Sequence, residues 1–314
     1  MDIAVFDPHE LPLVLSTLRS VVPRPSARHY RYLDVVARIH GGLRERRALP
    51  PAPHMLVAGV IRDGRRRKRL VQLAVLMALS DRRSLSAAAP AVTSLAEVLG
   101  VDEPAVNTLS TLSSRSRLSS CAGVIRRAVT ASVGAAWRDG GVAGLSKLIR
   151  NPLALDRMQA ASKRLAELAQ YPQGSLGRVL WEKREKYACA GGCSDFVLSD
   201  GMTHHVGHLI SGYDASPAGE LQQAAFQAGY TRRDGFAHLL CGVMQFHLAI
   251  KLSPFAEPHA GLFDAHKVMT ALDRGARCTA DLGAGWNFWD CAPRPLAELR
   301  EELCVPPLSA AVAA

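Results

Sequence analysis

The segment from Met202 to Leu221, MTHHVGHLISGYDASPAGEL, carries three histidines within five residues and a glutamate after eleven more. Imidazole nitrogens and carboxylate oxygens are the groups with which proteins hold first-row divalent cations. If THHVGH is helical, His204 and His208 are four residues apart and stack on one face, with His205 three before His208. The three rings then share an arc of roughly 100°. Gly212 ends that helix, and Ser216 followed by Pro217 supplies an N-cap and a first-turn proline for the next one. The antiparallel hairpin so formed brings Glu220 level with His208. His204, His205, His208 and Glu220 are therefore candidate ligands for Zn2+ or Fe2+, with Mn2+ and Co2+ as alternatives. Each also has an ordinary reading, as a solvated or core histidine or as a glutamate favouring the positive end of its helix. The zincin spacing is matched only superficially. His205 stands where that motif carries its general-base glutamate, so protease chemistry lacks its base.

The elements that must position these residues are helices. Pieces such as SARHYRYLDVVARIH, KRLVQLAVLMALSD and APAVTSLAEVLGV show helical periodicity over roughly 10 to 18 residues, while alternating strand patterns are nearly absent. The expected fold class is all-α, a multi-helix bundle with a metal-binding helical hairpin. The 314 residues, 48% of them hydrophobic, suffice for a sizeable core. Residues 1–54 read as a helical leader ending in a Pro-rich linker (LPPAPH), and 55–144 as a helical domain whose LAVLMALSDRRSLSAAAPAVTSLAEVLGV faintly resembles TerB-type domains of tellurite resistance. There Asp81 is followed by Arg82 and Arg83, which keeps the acidic metal pattern of those domains poorly, so packing rather than chemistry is expected. Residues 145–306 form the domain that holds the histidines, and 307–314 a tail.

The net charge of +10 is uneven, and Arg62 to Arg69 (RDGRRRKR) holds six basic residues. Such a run fits either a solvated helix start or an anionic surface. No recognition helix, zinc finger or aromatic platform accompanies it, so nucleic acid is not an expected partner. The N-terminal MDIAVFDPHE lacks the regions of a signal peptide, and no apolar run approaches the roughly 18 residues of a membrane span. A cytoplasmic protein is expected, soluble or peripheral on a membrane. The seven cysteines are odd in number and scattered, which suits free thiols; Cys189 and Cys193 in CAGGC are one residue too far apart for a thioredoxin-like or zinc-knuckle pair.

At this point the sequence resembles a known family, the fourth COQ protein of ubiquinone (coenzyme Q) biosynthesis. That family's mark is His-Asp-x-x-His, eleven residues, then Glu; here His204, His205, Val206, Gly207 and His208 precede Leu209 to Gly219 and then Glu220. Two flanking blocks, YPQGSLGRVLWE (Tyr171 to Glu182) and WNFWDCAPRPLAELREELCV (Trp286 to Val305), are similar to the family's entry and closing segments. The family's aspartate is His205 here, which makes the ligand set softer and one negative charge poorer. The resemblance implies a helical protein holding a divalent ion beside an apolar cavity for a prenylated aromatic ring. It further implies oxidative decarboxylation or hydroxylation of a ubiquinone precursor, or a scaffold for biosynthetic enzymes. Arg178, and after it Lys183, would accompany the substrate anion. Downstream, FAHLLCGVMQFHLAI (Phe236 to Ile250) reads as a buried core helix or as one wall of a lipid or quinone pocket through Met244 and Phe246, with His247 as a substrate or ligand-supporting residue. The partners so implied are an apolar aromatic or prenyl-lipid molecule and partner enzymes, with a homodimer open. The alternatives from other classes are a non-catalytic lipid-binding scaffold and a stress or signalling protein.

Overall fold

The computed structural model describes residues 1–41, 49–113, 163–187, 200–252, 256–284 and 286–308. Among these the structure is all-helical, and its only β-type pairings are two isolated bridges, Ser175 with Pro295 and Leu248 with Ala260. Cys121, Cys189 and Cys193 lie outside the described residues, as does the whole stretch from 114 to 162.

Helices α1 (Leu11–Ser20), α2 (Ala27–Ile39), α3 (His54–Val60), α4 (Gly64–Leu79), α5 (Leu85–Leu99) and α6 (Pro104–Ser113) form the N-terminal part. The inner one is α4, whose residues from Leu70 to Leu79 are buried without a break. A run buried on every face must be surrounded, and α1, α5 and α6 pack around it, with its one polar residue, Gln72, donating to Glu103. The basic run that starts α4 is divided in use. Arg66 pairs with Asp7 at 2.5 Å and Glu10 at 2.9 Å, and the Arg67 guanidinium donates to the carbonyls of Ala58, Ile61 and Leu99. Arg62, Arg65 and Lys68 stay exposed. Asp63 caps the helix by accepting from Arg66 N at 2.8 Å.

The described C-terminal part begins with helical residues 163–167, which run into a 3-10 turn at Leu168–Gln170, followed by α7 (Leu176–Tyr187). It continues through α8 (Asp200–Ser211), α9 (Pro217–Tyr230), α10 (Phe236–Phe246) and α11 (Ala265–Ala276), and closes with α12 (Phe288–Cys291) and α13 (Leu296–Glu302). Helix α9 lies between α10 and α11, and α11 also meets α2 of the N-terminal part. At that seam the rings of Tyr32 and Phe263 stand 6.5 Å apart.

The two sequence blocks flanking the histidines meet in space. Leu176 N donates to Arg294 O at 2.9 Å, Gly177 N to Ala292 O at 2.7 Å, and Leu296 N to Gly174 O at 3.0 Å. A Cβ at Gly177 would fall 2.4 Å from Tyr171 Cδ2 and 3.0 Å from Ala292 O, so this approach needs the missing side chain. The start of α7 and the turn before α13 are thereby stitched together, with α8 packed on both helices.

Candidate metal centre

Local signals set the hairpin. Gly212 takes φ +82, the left-handed conformation that ends α8 at little steric cost. Four residues on, the Ser216 hydroxyl accepts from Gly219 N at 3.1 Å, and Pro217 occupies the first turn of α9, where its missing N–H is no loss. Asp214 fastens the loop by accepting from Ser216 N at 3.0 Å. Gly207 lets the helices close up, for a Cβ there would lie 2.2 Å from Gln223 Nε2. Gln223, fully buried, accepts from Ser211 Oγ at 2.7 Å.

Three of the four sequence-predicted ligands converge. His204 Nε2 lies 3.0 Å from Glu220 Oε2, His208 Nε2 lies 3.2 Å from Glu220 Oε1, and the two Nε2 atoms are 3.1 Å apart. Donor atoms bound to one cation at about 2.0–2.2 Å sit roughly 3.0 Å apart in octahedral and 3.4 Å in tetrahedral arrangement. The observed separations therefore suit a single small divalent ion. His205 is not in this group of ligand atoms. One position round the helix, it is 8% exposed, and its ring stands 5.7 Å from that of His204 at 67°.

The tautomer of His208 decides what the cluster can do. Its Nδ1 faces the carbonyl oxygen of Tyr213 at 3.0 Å, and a carbonyl only accepts, so Nδ1 carries the proton. In neutral His208 the Nε2 lone pair then points at the Glu220 carboxylate and at His204 Nε2. Lone pairs facing one another at this range repel unless a positive charge lies among them. A proton can supply that charge; a metal ion satisfies all three donors together. Burial pushes the Glu220 carboxyl up, but hydrogen bonds and charge from His204 and His208 outweigh it and hold it far below the usual carboxylate range. Burial, followed by repulsion from His204 and His208, pushes His205 down to about 3, against the pull of Glu220. His205 is thus a neutral imidazole beside the cluster.

The end of α8 is held by residues from far along the chain. A helix leaves its last four carbonyls without intrahelical partners except at the final bond. Here His208 O accepts from Gly212 N at 2.8 Å, and Arg300 of α13 donates to Leu209 O at 2.7 Å and Ile210 O at 3.1 Å. Arg274 of α11 donates to Ser211 O at 3.0 Å and to Pro306 O. Arg274 is 3% exposed and lies over the Tyr213 ring, 5.0 Å from its centre. Two guanidiniums thus fix the turn that presents Tyr213 O to His208. Arg300 falls in the closing block singled out by resemblance; Arg274 carries no local signal that would mark it.

Two other constellations have internal explanations. Asp7, His9 and Glu10 gather possible ligand atoms, but the Arg66 guanidinium already neutralises the two carboxylates. Ser84, His29, Ser26 and Asp81 form a chain reminiscent of a nucleophile relay: Ser84 Oγ is 3.0 Å from His29 Nε2, and Ser26 Oγ donates to Asp81 at 2.8 Å. His29 Nδ1, however, accepts from Ser26 N at 2.9 Å. Nε2 therefore carries the proton and cannot draw one from Ser84, which makes the chain a tie between α2 and the α4–α5 turn.

The expected substrate residues have contacts of their own. Arg178 pairs with Glu182 at 2.8 Å and donates to Ala169 O, which ties α7 to the 3-10 turn, and Lys183 is exposed. Met244 is fully buried in α10. His247, also fully buried, accepts from Phe263 N through Nδ1 at 3.0 Å. Among the described residues no hydrogen bond, ion pair or ring contact joins these three to the His–Glu group. His238 of α10 is electrically closer: burial pushes it down to about 4, with Asp234 and Asp281 opposing and His204 adding to the shift. A cavity of about 490 Å³ lies between α2 and the start of α11; neither Arg178, Met244 nor His247 lines it. No protein-family model matches the chain, and no curated protein matches it.

Proposed function

We propose that His204, His208 and Glu220 hold one divalent metal ion, Zn2+ or Fe2+, and that the chain is a metal-dependent enzyme acting on a prenylated or other apolar aromatic precursor. The observation that carries this reading is the convergence of His204 Nε2, His208 Nε2 and the Glu220 carboxylate within 3.2 Å of one another, with the His208 lone pair turned inward by Tyr213 O. Two imidazoles and one carboxylate form a set that leaves coordination positions open, the arrangement of catalytic rather than closed structural sites. The same set suits non-haem Fe(II) oxygen chemistry, which accords with the oxidative decarboxylation or hydroxylation implied by the resemblance to the ubiquinone-biosynthesis family. When bound, the ion would act as a Lewis acid for substrate oxygens. The chain's own part is to orient two imidazoles, keep Glu220 ionised, and keep His205 uncharged next to them.

The test is elemental analysis of the purified protein with assays on prenylated aromatic acids. One ion per chain, lost in both His204→Ala and Glu220→Ala, supports the site, and full occupancy in both variants refutes it. Metal-dependent turnover supports the enzyme. If metal-free protein binds such ligands equally well and the loaded form turns over none, the chain is a non-catalytic lipid-binding scaffold.

A further inference from the structure

A stripe of α2 carries Arg28, Arg31, Asp34, Val35 and Arg38, spaced so that all lie on one face over about 15 Å of helix. Opposite stand Leu262, Phe263 and the first turn of α11, with His266 and Lys267. Between these walls lies the cavity of about 490 Å³, within the range of small-molecule sites. The cationic side chains are Arg28, Arg31, Arg38 and Lys267; among the described residues, none of the four has a side-chain hydrogen bond or an ion pair. Their behaviour contrasts with Arg66, Arg274 and Arg300, which are each committed to carboxylates or carbonyls. Of the two acids on the lining, Asp264 is already occupied as the α11 cap, accepting from Lys267 N at 3.0 Å.

Like charges three residues apart on a helix repel, and the positive end of α11 faces the same space. The lining gathers four cationic side chains from two elements against two carboxylates, Asp34 on the same stripe and the cap Asp264, with Arg28 also acting on Asp81, and the excess of positive charge is suited to an anion. The walls are mixed: Val35 and Phe263 are buried apolar residues, and Leu262 is partly buried beside them. Arginine forks match phosphate oxygens two at a time, and an apolar wall suits a ring or hydrocarbon body.

We propose that this cavity binds a small phosphorylated organic molecule, its phosphate held by Arg28, Arg31 and Lys267 and its apolar body against Val35, Leu262 and Phe263. The site is separate from the His–Glu group and stands whether or not a metal binds there. The cavity also touches Ala218, two residues before Glu220, so an occupant would lie against the first turn of the helix that carries that carboxylate.

The experiment is isothermal titration of the full chain with phenyl phosphate, inorganic phosphate and phenol at fixed ionic strength, with vesicles of phosphatidic acid as a separate arm. Phenyl phosphate is expected to bind, more tightly than inorganic phosphate, and phenol not at all. Arg28→Ser and Lys267→Gln should each weaken it about tenfold. Both side chains are exposed, so melting temperature and metal content should match the unaltered protein, which separates a lost site from a lost fold. Equal affinity in the variants overturns the proposal, as does equal binding of chloride. So does binding to the vesicles alone, because the surface would then be a lipid-headgroup contact and not a small-molecule site.

Discussion

Arg300 reaches from α13 to the carbonyl of Ile210 at 3.1 Å, across 90 residues of sequence, and so closes the last turn of the helix that carries the three histidines. The contact is a charged donor on an otherwise orphaned carbonyl, repeated at Leu209.

Replacing Arg300 by leucine should therefore weaken both fold and site. Two charge-assisted hydrogen bonds in a half-buried setting are lost, for a cost of about 2–3 kcal/mol in unfolding free energy. Metal affinity should fall about tenfold, as for other losses of ligand-supporting contacts. Urea unfolding and a competitive metal titration read the two effects separately. Unchanged metal affinity would show that the end of α8 does not govern the ligands.

His205 offers a sharper contrast. Its ring lies outside the group of ligand atoms. His205→Gln should retain one ion per chain, while His204→Ala empties the site. Loss of the ion from His205→Gln would place a fourth ligand where the structure puts a neighbour.

The hairpin seam can be tested without touching a ligand. In Gly207→Ala the new methyl group would meet Gln223 Nε2 at 2.2 Å, and Gln223 is fully buried, so relief requires breaking its bond to Ser211. A loss of about 1–3 kcal/mol is expected. Gln223→Ala should cost stability alone yet recover much of the Gly207→Ala loss when combined with it. A purely additive double mutant would deny the contact.

Acid should destabilise the seam between the two halves. Burial, then the charges of Arg28 and Arg82, push His247 down to about 4, against Leu79 O and Asp81. Its Nδ1 accepts from Phe263 N, so protonation sets one N–H against another. An unfolded histidine takes up its proton near pH 6.5, well before the folded one. The contribution is therefore complete above pH 6.5 and declines as pH falls toward 4, by up to about 1.4 kcal/mol per pH unit. His247→Gln keeps an acceptor but cannot titrate. Chemical denaturation at pH 7, 6 and 5 should show a shallower decline for that variant, and parallel lines would exclude His247 as the source.

What the sequence made legible was local. Gly212, Ser216 and Pro217 mark a helix end and a helix start within five residues, and helical spacing then places His204, His208 and Glu220 without long-range knowledge. Helical periodicity likewise gave the all-α class. The same spacing could not separate His205 from its neighbours, because an arc of roughly 100° includes residues that point past a common centre as well as into it. Arg274 was illegible for another reason: a buried cation over Tyr213 reads, in ALDRGA, as an ordinary surface helix residue until α8 is folded against it. The basic run at Arg62 to Arg69 was half right as a solvated helix start, since Arg66 and Arg67 turn inward to groups distant in sequence.

The pairing of Gly174–Gly177 with Ala292–Leu296 and the reach of Arg300 also bear on the order of events in synthesis. The histidines leave the ribosome some ninety residues ahead of the guanidinium that finishes their helix. Until then the hairpin can form as a local unit, but its last turn remains open to water. A ligand cluster written in seventeen residues of sequence thus takes its final shape only when the closing block has arrived, and an ion captured earlier would bind a looser cluster than the finished one.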